Sequence, residues 1–189
     1  MNPHEKLLRE IENFQPWDEK EAADKQKTID FIKSTPIEER YVRGNLKGHV
    51  VGSALLLSPD MTKTLLTHHG FLNIWVQFGG HADGNPDIAA VALRETQEEA
   101  GIDDVELLTP YIVDIDVQHI PDRPSRNEPA HTHYDIRYIT RAKTMDFKIS
   151  DESHNLKWFT MDELASMDLE SGMKRISAKW QDYLQKKAA

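Results

Sequence analysis

The sequence predicts an α+β fold. Apolar residues recur at helical spacing near both ends and across residues 86–100, while strand-like runs fill 50–57, 64–67 and parts of 111–140 between them. The 189 residues carry no internal repeat, low-complexity tract or interdomain linker, so they read as one folding unit long enough to bury a sizeable core.

Taken in order, residues 1–43 form a helical N-terminal extension. Leu7, Leu8, Ile11 and Phe14 mark one short amphipathic helix, and Ile29, Phe31 and Ile32 mark a second that ends before Pro36. This extension covers the sheet, forms a dimer surface or shapes a pocket; the residues alone leave the three open. The domain proper is expected over 44–189. Val50 to Leu57 and Thr64 to Thr67 form a strand-turn-strand around Ser58-Pro59-Asp60. A helix follows from Pro86 to Ala100, with proline in its first turn and Gly101 at its C-cap. Two alternating strands lie between Tyr111 and Thr140. A closing strand, Leu156-Lys157-Trp158-Phe159, leads to a C-terminal helix over 162–187 that packs through Leu164, Ile176, Trp180 and Leu184, with Gly172 as a candidate interruption.

The central helix carries the strongest chemical signal. Glu95, Glu98 and Glu99 stand at i, i+3 and i+4 and project from one side, while Ala89, Leu93, Thr96 and Ala100 form a small packing face on the other. Like charges at this spacing repel by a few tenths of a kcal/mol per pair, and a shared cation relieves that repulsion. Oxygen ligands of this kind select Mg²⁺, Mn²⁺ or Ca²⁺ over zinc. The plainer reading is a solvated acidic face paired with Arg94.

Context favours the cation. From Gly80 through Arg94-Glu95, Glu98-Glu99 and Gly101-Ile102, the chain resembles the box of the Nudix hydrolases, Gly-x5-Glu-x7-Arg-Glu-U-x-Glu-Glu-x-Gly-U, where U is bulky and apolar. Three positions depart from it. Pro86 stands at the upstream glutamate, so Asp83 or Asp87 is the candidate brace for Arg94; Thr96 replaces the inner U; and Phe78 precedes Gly79-Gly80 where proline is common. The resemblance spans about His49 to Leu164. It implies an α/β/α sandwich around a mixed sheet, with Mg²⁺ (or Mn²⁺) held by Glu95, Glu98, Glu99 and the carbonyl of Gly80. Arg94 would brace the glutamates through an i, i+4 pair with Glu98. An acidic residue before the closing strand often serves such enzymes as general base, which nominates Glu152, with Asp151 in reserve; a box glutamate is the other candidate.

Several polar groups outside the box are candidates for substrate. Asp114, Asp116 and Gln118 share one strand face, as do His131, His133, Asp135 and Arg137. The first set lines a cleft or simply faces water. For the second, His131, His133 and Arg137 offer anion contacts, although a His-x-His pair also suits a transition metal. The proline-rich loop 119–129 carries Arg123 and Arg126, either phosphate clamps or solvated loop residues. His81 follows the glycine pair and either orients a phosphate or metal-bound water or caps the loop.

Composition narrows the classes further. A formal net charge of −9 argues against sequence-independent nucleic-acid binding, which needs clustered Lys and Arg. Zero cysteines exclude disulfides, thiolate metal sites and a cysteine nucleophile; the last also argues against isopentenyl-diphosphate isomerase, which shares the fold. No apolar run approaches the roughly 18 residues of a membrane span, and the charged start is unlike a secretory signal, so a cytoplasmic location is expected, with a homodimer as a candidate state. The resemblance implies hydrolysis of a nucleoside diphosphate linked to another moiety. A nucleotide-sensing module without catalysis is the alternative.

Overall fold

The computed structural model describes residues 2–69, 73–124, 128–148 and 153–188, with the side chains of 153, 154, 187 and 188 left aside. Among the described residues, five α-helices and eight strands follow one another, with one 3-10 turn (Ile37–Glu39) after α2: α1 (Pro3–Asn13), α2 (Glu19–Ser34), β1 (His49–Leu57), β2 (Lys63–His69), β3 (Ile74–Val76), β4 (Phe78–His81), α3 (Ile88–Ala100), β5 (Val105–Leu107), β6 (Asp114–Ile120), β7 (His131–Ala142), β8 (Ser153–Thr160), α4 (Met161–Ser166) and α5 (Ser171–Ala188). All eight strands join one mixed sheet. β1 and β7 run parallel along their full length, from His49 opposite His133 to Leu57 opposite Arg141. The other pairings are antiparallel, including β4 against the first half of β1 and β6 against the first half of β7.

Alternation along β1 separates the two layers of helices. Val50 and Ala54 face one side, in a cluster with Leu7 and Ile11 of α1, Ile29 and Ile32 of α2, and Ile88, Val91 and Ala92 of α3. Leu55 and Leu57 face the other, against Leu164 of α4 and Met173, Ile176 and Trp180 of α5. The fold is thus the expected α/β/α sandwich, with α1 and α2 built into its core. α2 also protects an edge: Glu21 and Asp24 accept bonds from the backbone N–H groups of Ile115 and Val117 on β6, at 3.1 and 3.3 Å. Among the described residues, no helix is long and apolar enough to cross a membrane.

Local chemistry adjusts the expected boundaries. α3 starts at Ile88, not Pro86, because the Asp87 carboxylate accepts from Ala90 N and serves as its N-cap. Its packing stripe runs through Ile88, Val91, Ala92, Thr96 and Ala100, a rotation that leaves Ala89 and Leu93 at the flank. Gly101 closes the helix at φ 61°, the left-handed conformation that favours glycine. The C-terminal region is two helices; the break falls at residues 167–170, before Gly172, which lies inside α5.

Candidate functional site

The loop and strand before α3 meet its acidic side at very short range. Gly80 is opposite Gly52 in the sheet, on the layer that α3 covers, and a Cβ added there would lie 2.4 Å from the Glu95 carboxyl carbon. Any side chain at Gly80 would evict that carboxylate. Gly79 needs the same freedom on the opposite face, where a Cβ would approach Ser53 Cβ to 2.2 Å. The backbone N–H of Gly79 donates to Glu99 at 3.0 Å. Two box glutamates therefore sit directly on the glycine pair.

Arg94 ties the group together. Its guanidinium pairs with Glu95 at 2.7 Å and Glu98 at 3.0 Å, and donates to the carbonyl of His81 at 3.2 Å. The expected i, i+4 contact is present, joined by a second pair to Glu95. Neither aspartate nominated as a brace reaches Arg94: Asp87 caps α3, and Asp83, in a loop at φ 49°, adds repulsion on Glu95. Burial pushes the Glu95 carboxyl up, against the pull of the adjacent Arg94. Glu98 is open to solvent, with 59% of its side chain exposed. Oxygen donors with no competing nitrogen or sulfur suit a hard divalent cation. Thr96 fits the buried position of the box because its hydroxyl bonds back to Ala92 O at 2.7 Å, leaving no polar atom unpaired.

Most of the polar face of β6 and β7 is buried, and only at Asp116 and Gln118 does it border a shallow pocket. Arg137, expected to contact substrate, is 1% exposed and bonds Asp135 at 2.7 Å, Asp116 at 2.9 Å and Asp114 at 3.4 Å. Arg175 of α5 binds Asp114 through two nitrogens, and Lys179 reaches Asp114 and Glu21. α2 and α5 thus close over this face, and the guanidinium of Arg137 is consumed by carboxylates rather than presented to a ligand. Burial alone would raise Asp114 and Asp116; the facing cations hold both well below the usual carboxylate range. Asp135, fully enclosed, goes the other way: burial raises it despite Arg137.

At the outer end of the same face, His81, His131 and His133 meet His49, which no motif or local spacing singles out. One ring nitrogen from each of the four lies within 4.8 Å of all the others. His49 joins because the β1–β7 register sets it opposite His133. Arg43, exposed, donates to His81 Nδ1 at 2.7 Å. Arg123 approaches Glu128 at 3.8 Å across a bridge between their backbones. Arg126, Asp151 and Glu152 lie outside the described residues.

The family model described as NUDIX domain matches residues 48–180. A "Probable DHNTP pyrophosphohydrolase" from Lactococcus lactis is 23% identical over 130 residues, covering 69% of this chain and 77% of that protein. Among solved structures, a NUDIX-family hydrolase from Clostridium perfringens superposes with a TM-score of 0.54 at 22% identity, over 70% of this chain and 96% of its own. An Ap4A hydrolase binary complex from C. elegans gives 0.55 at 17% identity, over 72% and 97%.

Proposed function

We propose that this chain, which belongs to the NUDIX family and is a Nudix-type pyrophosphohydrolase, cleaves the diphosphate linkage of a nucleoside diphosphate joined to a further moiety, using Mg²⁺ or Mn²⁺. The observation that carries the reading is the contact between Gly79-Gly80 and the Glu95 and Glu99 carboxylates, with Arg94 bridging Glu95, Glu98 and the His81 carbonyl. Glu95, Glu98, Glu99 and the Gly80 carbonyl would hold the cation. Bound there, a divalent ion neutralises phosphate charge, polarises phosphorus and acidifies water.

The residues of the chain supply the rest. Arg94 fixes the spacing of Glu95 and Glu98, so the donors are oriented before the cation arrives. The missing side chains of Gly79 and Gly80 let the strand approach the glutamates closely. Glu152 or a box glutamate takes the proton of the attacking water, a contribution of about 10² to 10⁴-fold in rate. Arg123, which pairs with Glu128, and Arg126 are the candidate clamps for the far end of the substrate.

The test is phosphate release, coupled to phosphatase where needed, from nucleotide sugars, ADP-ribose, NADH, dinucleoside polyphosphates and nucleoside triphosphates with Mg²⁺ or Mn²⁺. Metal-dependent cleavage of one group, lost in Glu99→Gln, supports the reading. No cleavage across the panel, with nucleotide still bound by calorimetry, would point instead to a sensing module.

A further inference from the structure

We infer that His49, His81, His131 and His133 form a second metal site, specific for a late first-row divalent ion and best matched to Zn²⁺, on the sheet face opposite the box helix. Its donors come from three neighbouring strands: the start of β1, the end of β4 and the start of β7. The site does not depend on the hydrolase reading, because it shares no side chain with the carboxylates.

Hydrogen bonding around the rings fits a shared cation. His131 Nδ1 lies 2.8 Å from the Pro129 carbonyl, which can only accept, so that nitrogen carries the ring proton and Nε2 presents a lone pair. That lone pair meets His133 Nε2 at 3.0 Å. A backbone carbonyl that sets the tautomer of an imidazole and leaves the lone pair of its other nitrogen facing inward is the usual support of a metal-bound histidine. His49, 1% exposed, has only a loose backbone contact from Asn45 and no well-formed hydrogen bond at either ring nitrogen, and the buried Nε2 of His81 has no partner. Buried polar atoms without partners are rare in folded proteins, and an ion shared by the four rings would take one nitrogen from each, including one of His49 and the Nε2 of His81.

Four imidazoles without a carboxylate disfavour Mg²⁺ and Ca²⁺ and suit Zn²⁺, whose coordination sphere four protein ligands close. Such a site holds structure and leaves no position for substrate. The bond from Arg43 to His81 Nδ1 keeps the His81 proton on Nε2. For Nε2 of His81 and of His133 to hold an ion, each ring would shift its proton to Nδ1, and the exposed Arg43 would release the His81 ring.

The experiment uses untagged, chelator-treated protein titrated with ZnCl₂ by calorimetry, with bound zinc counted by elemental analysis. One zinc per chain is expected in the wild type and in Glu98→Gln/Glu99→Gln, with affinity reduced on the order of 10²-fold or more in His131→Gln/His133→Gln. Zinc X-ray absorption of the loaded wild type, which needs no variant to fold, should show an imidazole-rich nitrogen shell. Absence of zinc binding by the wild type, zinc lost in the carboxylate variant but retained by the histidine variant, or an oxygen-only shell would each overturn the assignment. Because occupancy rather than turnover is read, an inactive enzyme leaves this test intact.

Discussion

The Glu95 carboxylate occupies the space that a side chain at Gly80 would fill, 2.4 Å from where its Cβ would stand. Gly80→Ala should therefore push the carboxylate aside while leaving the rest of α3 anchored through Val91, Ala92 and Thr96. Displacements near 1 Å at a reacting centre can cost about 10²-fold, so a fall in turnover of at least about 10-fold is expected, larger than any loss in thermal stability warrants. Steady-state kinetics beside a thermal melt will check it; unchanged turnover would mean that Glu95 has room to move without consequence.

Glu99→Gln preserves shape and can still accept the bond from Gly79 N, but it loses the charge. Turnover should drop by at least about 10²-fold with the fold retained. Wild-type rates in this variant, measured with its circular dichroism, would remove Glu99 from the proposed mechanism.

Asp116→Asn tests the buried ion network. Breaking one partner of a buried pair costs roughly 3 to 5 kcal/mol, so denaturant unfolding at pH 7 should show a deficit of about that order. Because the facing cations depress the folded-state pKa of Asp116 below its unfolded value of about 4, its contribution is complete above that value and disappears as the pH falls through the folded one. The gap between wild type and variant should then narrow below about pH 4. Comparing the two proteins at each pH removes the opposing trends of Asp135 and Glu21, both of which burial raises. A gap that widens in acid would contradict the assignment.

Removing residues 1–34 should abolish cooperative folding. Leu7, Ile11, Ile29, Phe31 and Ile32 leave the core with them, each worth about 1.5 to 3 kcal/mol, a sum comparable with the 5 to 15 kcal/mol that holds a typical domain. Glu21 goes as well, leaving Lys179 without one of its buried carboxylates. A soluble shortened chain with a sharp melting transition would show that the two helices are dispensable.

Much of this architecture is legible in the residues, and the failures share a cause. Periodicity identifies the helices around Leu7, Ile29 and Glu95 because each is a local pattern. It misplaces the start of α3, since the choice between Pro86 and the capping carboxylate of Asp87 depends on the path of the preceding loop. It also assigns Arg137 to a ligand: alternation along β7 tells which residues share a face but not that α2 and α5 cover it. His49 escapes notice for the same reason. Its partnership with His133 arises from a parallel pairing between strands more than eighty residues apart, and no local spacing encodes such a register.

The pairing of β4 with β1 has a consequence for how this protein can change over time. Gly79, Gly80 and His81 stand opposite Ser53, Gly52 and Val51, so successive residues serve opposite layers, the glycine turned toward Glu95 and the imidazole toward the other histidines. An insertion or deletion that moved this register by one residue would exchange the faces and destroy both arrangements at once. Point substitutions act differently, because the two arrangements share only backbone. Descendants of this chain can thus lose the histidines and keep the glutamates, or the reverse, but length changes between Ile74 and His81 are closed to lineages that retain either.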